Sequence, residues 1–157
     1  MQKFLIFLVL GLTCVYGKEY TPVKQCGSEK LFKNVAINTS KGLCRALPCQ
    51  LKLGETITAE IEFENKELVE KIVSKCKAVV LGSELDFPIP NAEKGCDQLI
   101  KGKCPAAPKS DLALKLTVPV KPPSLAKLGV DAKMEISLLD QNKKVISCFM
   151  LTAKVNV

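Results

Sequence analysis

Apolar and polar residues alternate with a period of two over three stretches of the chain. In the clearest, Thr56 to Glu64, aliphatic and aromatic side chains alternate with threonine and glutamate. Similar alternation runs over Leu112 to Val118 and over Ala132 to Leu139. Because successive side chains of a strand point to opposite faces, each stretch predicts a β-strand with one buried face and one solvent-facing face.

Less regular apolar stretches predict further strands over Leu31 to Asn38, Ile72 to Leu81 and Val145 to Val155. The last is apolar on both faces, which predicts a central position in a sheet. Turn-forming residues separate the stretches at short intervals, so the helix content should be near zero. The pattern predicts an all-β fold, an antiparallel, immunoglobulin-like two-sheet β-sandwich. A lipocalin-type β-barrel is the structural alternative.

The first residues have the pattern of a secretory signal. Lys3 precedes an apolar run from Phe4 to Leu12 that is too short to span a bilayer, and Gly17 is a small residue at the expected cleavage site. We therefore predict a signal peptide over residues 1–17 and one domain over residues 18–157. The protein is expected to be secreted into the extracellular space or the endolysosomal lumen.

The composition excludes several kinds of chemistry. The 157 residues include no histidine and no tryptophan, and the formal net charge is +7. Without histidine, nucleophilic catalysis with an imidazole base and histidine metal sites are excluded. Glu60, Glu62 and Glu64 share one parity of a strand, which predicts a solvated outer face rather than a catalytic cleft. We expect no enzyme activity, cofactor or metal, and the scarcity of aromatic residues argues against nucleic-acid binding.

The cysteines predict disulfide bonds. Eight are present, of which Cys14 lies in the predicted signal. In a secreted protein the other seven predict bridges, but an odd number leaves one thiol over, and the spacing alone does not select a pairing. Cys76 has the inward parity of its predicted strand, so it should be buried and protonated.

The inward positions of the predicted strands carry mostly mid-sized aliphatic side chains. Two packed sheets stand about 10 Å apart, and large side chains normally fill that gap. The pattern therefore fits either an apolar cavity between the sheets or a closed aliphatic core.

A series of cysteine- and proline-bearing motifs runs along the chain. It consists of Lys24-Gln25-Cys26-Gly27-Ser28, Leu47-Pro48-Cys49 after Cys44, Leu51-x-Leu53-Gly54, Lys77-Ala78-Val79-Val80, Phe87-Pro88-Ile89-Pro90, Gly95-Cys96, Cys104-Pro105, Val118-Pro119-Val120-Lys121 and Leu138-x-Asp140 before Cys148. The series resembles the ML lipid-recognition family, which includes Niemann-Pick type C2-like proteins and group 2 mite allergens. The resemblance covers the mature chain nearly end to end.

The resemblance implies a sandwich that carries a sterol or another lipid between its sheets. It also implies the disulfides Cys26–Cys148, Cys44–Cys49 and Cys96–Cys104, with Cys76 as the free thiol. Phe87 and Val120 match positions at the sterol entrance of relatives, whereas the aromatic gate residue of mammalian members falls near Ser124 here. The other candidate ligand-binding residues are Pro119, Phe63, Ile61, Leu116, Val118 and Ile136.

The expected ligand is a sterol such as cholesterol. The alternatives are a carrier of fatty acids or hydrophobic semiochemicals, a lipid-presenting module in innate immune recognition, and a structural sandwich without a ligand. The many lysines either favour contact with an anionic membrane surface or a membrane sterol acceptor, or serve solubility alone. The sequon Asn38-Thr39-Ser40 predicts glycosylation of Asn38 in a surface loop after a strand. We expect a monomer.

Overall fold

The strands pair into two sheets in a computed structural model that describes residues 17–121 and 129–156. The predicted signal, apart from Gly17, and Ser124 lie outside the described residues. The strands are β1 Lys24–Gln25, β2 Asn34–Thr39, β3 Gly42–Leu43, β4 Cys49–Lys52, β5 Thr56–Glu64, β6 Val73–Val80, β7 Ser83–Asp86, β8 Leu99–Lys101, β9 Asp111–Pro119, β10 Asp131–Leu139 and β11 Val145–Asn156. A 3-10 turn at Gly95–Gln98 precedes β8. Within the described ranges no helix is long and apolar enough to cross a membrane.

The first sheet has six strands, in the order β1-β11-β10-β6-β7 with β4 also paired to β11. The second has five, in the order β3-β2-β5-β9-β8. The predicted β-sandwich is confirmed, and two separate sheets exclude the barrel. The pairing of β4 with β11 is parallel, whereas the other pairings of the described strands are antiparallel. As its two apolar faces predict, β11 is central, because it pairs with β10 on one edge and with β1 and β4 on the other.

The strands with strict alternation match their predictions closely. β5 has the predicted bounds, and β9 and β10 begin one residue earlier than predicted. The inward side chains of β5 and β9 stand opposite one another, with Ile61 across from Leu114 and Ala59 across from Leu116. All four are at most 1% exposed. The period-two pattern therefore identifies the side of each strand that faces the core.

Several short strands were not predicted. The segment from Gly82 to Asp86 contains β7, which pairs with β6 through a two-residue turn at Leu81 and Gly82. Both turn residues have positive φ, 51° and 82°, as a type I′ turn requires. The other unpredicted strands, β1, β3, β4 and β8, have at most four residues, too few to show a period.

The outer face of β5 carries the acidic side chains predicted to be solvated. Glu60 and Glu62 are half-buried, and Glu64 is exposed. Lys18 lies 2.9 Å from Glu62, and Lys33 lies 3.5 Å from Glu64. Such surface ion pairs add little to stability, because water and salt screen the charges. These carboxylates line the outer surface of the sandwich and do not converge in a cleft.

A buried asparagine organises the connection between β8 and β9. Asn65 is 1% exposed, and its side-chain amide donates hydrogen bonds to the carbonyls of Glu67, Ala106 and Ala107. Its side-chain oxygen accepts a hydrogen bond from the backbone N–H of Ser110. The side chain thereby ties the end of β5 to the chain that precedes β9 and pairs the backbone N–H of Ser110.

Candidate functional site

Two small apolar cavities lie between the sheets. The inner cavity, of about 20 Å³, is lined by Ile37, Leu51, Ile57, Ala59, Cys76, Ile89, Val118, Met134, Ile136 and Leu151. The end cavity, of about 30 Å³, is lined by Leu51, Ala78, Val80, Leu85, Phe87, Val120, Ala132, Met134, Ala153 and Val155. Leu51 and Met134 line both, so the two cavities adjoin at these side chains. The predicted apolar cavity is therefore present as two small spaces within an otherwise closed aliphatic core.

The cavities are small and dry. Water in a buried site needs two or more polar partners, and neither cavity has a polar side chain in its wall apart from the weakly polar Cys76 thiol. Pockets for drug-sized ligands hold about 300–1,000 Å³, more than these spaces provide. Any lipid that enters must therefore move the lining side chains apart.

Four of the predicted ligand-binding residues face these cavities. Phe87 and Val120 line the end cavity, and Val118 and Ile136 line the inner cavity. They come from β9, β10 and the two segments that follow β7 and β9. The fold thus brings together residues that are far apart in the sequence.

The other four predicted residues do not line either cavity. Ile61, Phe63 and Leu116 are at most 1% exposed and pack in the core. Pro119 is half-buried at the end of β9. Alternation identified these core positions correctly, but it carries no information on which core side chains border a space.

Most of the lining residues were missed as candidate ligand contacts, among them Leu51, Met134 and Ile89. Leu51 lies on the four-residue strand β4, whose parallel pairing with β11 has no local sequence signal. Met134 has inward parity in β10, a signal that could have identified it. Ile89 lies between two prolines and is 9% exposed, although a loop position gives no indication of burial.

An open groove of about 620 Å³ lies outside the sheet, along the edge of β6. At one end the N–H of Phe87 donates to the carbonyl of Cys76, and at the other the N–H of Ser74 donates to the carbonyl of Ala92. Between these bonds, prolines interrupt the chain facing β6, and a proline has no N–H to donate to a neighbouring strand. The groove is lined by Ser74, Lys75, Cys76, Lys77, Glu84, Asp86, Phe87, Pro88, Ile89 and Ala92.

Cys76 lies between the groove and the inner cavity. It is 5% exposed, has no disulfide partner and lines both spaces. Burial raises the pKa of its thiol to about 12, with a smaller contribution from the negative charge of Glu135. The thiol is therefore protonated near neutral pH, which makes it a poor nucleophile.

The three disulfides have the pairing that the family resemblance implies. Cys26–Cys148 joins positions 122 residues apart, whereas Cys44–Cys49 and Cys96–Cys104 join positions 5 and 8 residues apart. Three disulfides fit a protein of an oxidising compartment.

The predicted glycosylation position differs from its expected setting. Asn38 is half-buried inside β2, opposite Leu43 of β3, and is not in a loop. The sequon therefore covers the last two residues of β2 and the first residue of the turn to β3. Glycosylation of Asn38 stays a prediction.

Comparisons with known proteins agree with this architecture. The curated "NPC intracellular cholesterol transporter 2" of Mus musculus is 27% identical over 159 residues, which cover 98% of this chain and 99% of that protein. The protein of the same name from Danio rerio is 28% identical, over 95% of this chain and 97% of its own length. A crystal structure of a Niemann-Pick type C2 protein from Japanese carpenter ant has a TM-score of 0.68 at 21% identity and covers 85% of this chain and 98% of its own, so the fold is shared. The family model of the ML domain matches residues 20–155, and the chain therefore belongs to the ML domain family.

Proposed function

We propose that the protein binds and carries a lipid, with a sterol as the first ligand, in the space between its two sheets. The observation that carries the proposal is the pair of apolar cavities that adjoin at Leu51 and Met134. The names of the Mus musculus and Danio rerio relatives, which describe cholesterol transporters, support a sterol. Fatty acids and other long hydrophobic molecules are the alternative ligands, because burial of hydrocarbon does not distinguish them.

Burial alone supplies enough affinity for a carrier. A sterol has about 28 non-hydrogen atoms, and about 0.3 kcal/mol per atom gives roughly 8 kcal/mol, or micromolar affinity. The cost of separating the closed lining side chains lowers that value. Such affinity keeps a sterol in solution and still permits its release at a membrane.

The disulfides and the predicted signal support a secreted protein that acts outside the cell or in the endolysosomal lumen. Its lysines would favour an anionic membrane surface as the place of delivery.

The first test is to identify copurifying lipids by mass spectrometry and to measure binding of dehydroergosterol, a fluorescent sterol, in competition with oleate. Phe87→Ala removes a side chain that lines the end cavity, and we expect it to weaken sterol binding about 10-fold through lost apolar contact. Phe32→Ala is the matched control. Phe32 is also partly buried, but it packs edge-on against Phe149, at a ring distance of 6.2 Å, and lines neither cavity.

The outcomes separate the candidate ligands. Sterol binding that oleate does not displace supports a sterol carrier, whereas displacement by oleate at similar concentrations supports a broader lipid carrier. A protein that copurifies with no lipid and binds neither probe contradicts the proposal. Equal losses in Phe87→Ala and Phe32→Ala would place the ligand elsewhere.

A further inference from the structure

We propose that the groove along β6 binds the hydroxyl end of a lipid. The hydroxyl forms a hydrogen bond with Ser74 Oγ, and the apolar body of the lipid passes between Cys76 and Ile89 into the inner cavity. The inference rests on the proposed lipid binding and adds a polar recognition site and a side entrance to it. The hydroxyl belongs either to a sterol or to a long-chain alcohol.

The groove and the interior of the sandwich share a wall. Cys76 and Ile89 line both the groove and the inner cavity, so these two side chains form the wall that separates the two spaces. Phe87 likewise lines both the groove and the end cavity. The groove, at about 620 Å³, has the size of a ligand pocket. A lipid in the groove would reach the core by displacing Cys76 and Ile89, and it would then separate the other side chains that line the inner cavity.

The groove wall contains a buried hydroxyl without a partner among the described residues. Ser74 is 3% exposed, lines the groove, and its Oγ has no hydrogen-bond partner among the described residues. Buried hydroxyls in proteins are nearly always paired, and an unpaired one destabilises the fold. A ligand hydroxyl can both donate to and accept from Ser74 Oγ, so it would satisfy this atom.

The charges on the rim favour an uncharged polar group over an anion. Two lysines, Lys75 and Lys77, and two acidic residues, Glu84 and Asp86, line the groove, and Lys77 lies 3.8 Å from Glu84. Their charges cancel, so the rim gives a carboxylate head group no net attraction. A hydroxyl group loses less hydration than a carboxylate when it enters such a site.

The chain provides a matched control for Ser74. Ser147 is 1% exposed, and its Oγ also has no hydrogen-bond partner in the described part of the chain. Both serines stand opposite Leu138, Ser74 from β6 and Ser147 from β11. Ser147 does not line the groove, so Ser147→Ala removes an equivalent buried hydroxyl outside the proposed site.

The experiment measures displacement of the fluorescent probe N-phenyl-1-naphthylamine from wild type, Ser74→Ala and Ser147→Ala. The competitors are two matched pairs, cholesterol with cholest-5-ene and hexadecan-1-ol with hexadecane, in which the second member lacks the hydroxyl. We expect Ser74→Ala to weaken binding of at least one of the alcohols about 5- to 10-fold, the value of one hydrogen bond. Binding of the hydrocarbons should be unchanged, and Ser147→Ala should resemble wild type throughout.

The pattern of losses decides the inference. A loss confined to cholesterol identifies a sterol site, and a loss confined to hexadecan-1-ol identifies a site for long-chain alcohols. If Ser74→Ala weakens alcohols and hydrocarbons equally, or weakens neither, the hydroxyl site is refuted while lipid binding stands. If wild type binds the probe and none of the competitors, the proposed function itself fails.

A second measurement uses wild type alone. Because Cys76 lies in the wall between groove and cavity, a bound alcohol should slow its reaction with iodoacetamide at least 5-fold. Saturation with cholesterol or hexadecan-1-ol that leaves this rate unchanged would contradict passage between Cys76 and Ile89.

Discussion

Substitution of Met134 tests whether the tight packing between the two cavities opposes lipid binding. Met134 is 7% exposed and separates the inner cavity from the end cavity. The substitution Met134→Ala would join the two cavities into one larger apolar space. We expect the substitution to lower stability and to raise lipid affinity.

The expected magnitudes follow from packing. Replacing a buried methionine with alanine costs about 2–5 kcal/mol. Met134 already borders two empty spaces and so makes fewer contacts than a fully packed side chain, which favours the lower half of this range, about 2–3 kcal/mol. In wild type a lipid must displace this side chain, whereas in the variant the space is already open. If about half of the packing cost no longer opposes binding, affinity should rise about 10-fold.

The assay combines urea unfolding of the free protein, followed by circular dichroism, with titration of dehydroergosterol. Leu116→Ala is the control, because Leu116 is fully buried but lines neither cavity. This control should lose at least as much stability as Met134→Ala without a gain in sterol affinity. If Met134→Ala weakens sterol binding as much as Leu116→Ala does, the two cavities are not the place where the lipid is accommodated.

Three further predictions concern stability. Replacing both cysteines of the Cys26–Cys148 bridge with alanine should cost about 5 kcal/mol of stability, against about 2 kcal/mol for either local bridge. The reason is that the Cys26–Cys148 bridge closes a loop of 122 residues, whereas the local bridges close loops of 5 and 8. Equal shifts of the three variants in urea unfolding would contradict the loop-entropy reasoning. Asn65→Ala should cost about 2–4 kcal/mol in the same assay, because it removes several hydrogen bonds of a buried amide and leaves the Ser110 N–H without its partner. A loss below about 1 kcal/mol would show that water replaces the amide. The Cys76 thiol has a pKa of about 12 in the fold, whereas an exposed cysteine has a pKa of about 8.5. Above about pH 8.5 the unfolded chain therefore loses the thiol proton while the folded protein keeps it. The contribution of Cys76 to stability is constant below about pH 8.5 and falls by up to about 1.4 kcal/mol per pH unit above it. Between pH 8 and 10 wild type should therefore lose more stability than Cys76→Ala, and parallel pH profiles would refute the raised pKa.

The sandwich could be predicted from the sequence because its long strands alternate strictly. Ile57 and Phe63 in β5, or Leu112 and Val118 in β9, each face the core as their parity requires. Strands of two to four residues contain too few positions to show a period, and β4 depends on a parallel partner about one hundred residues away.

The candidate site could be predicted only in part. Phe87 and Val120 were identified by the resemblance, and Val118 and Ile136 by parity combined with it. The size of the cavities depends on how side chains from both sheets interdigitate, which no single strand encodes. The groove arises because Pro88 and Pro90 interrupt pairing opposite β6, and Ser74 becomes notable only once its surroundings are known.

The chain crosses between the sheets several times, and the crossing from β3 to β4 differs mechanically from the crossing from β7 to β8. Between β3 and β4, the Cys44–Cys49 bridge clamps the crossing covalently. Between β7 and β8, the segment beginning at Phe87 is held to β6 by single hydrogen bonds, and the Cys96–Cys104 bridge ties only its far end to the chain that follows β8. Covalent bonds do not yield to thermal motion, whereas isolated hydrogen bonds near solvent exchange readily with water. The two sheets are therefore held together covalently at the β3–β4 crossing, and they separate most easily along β6.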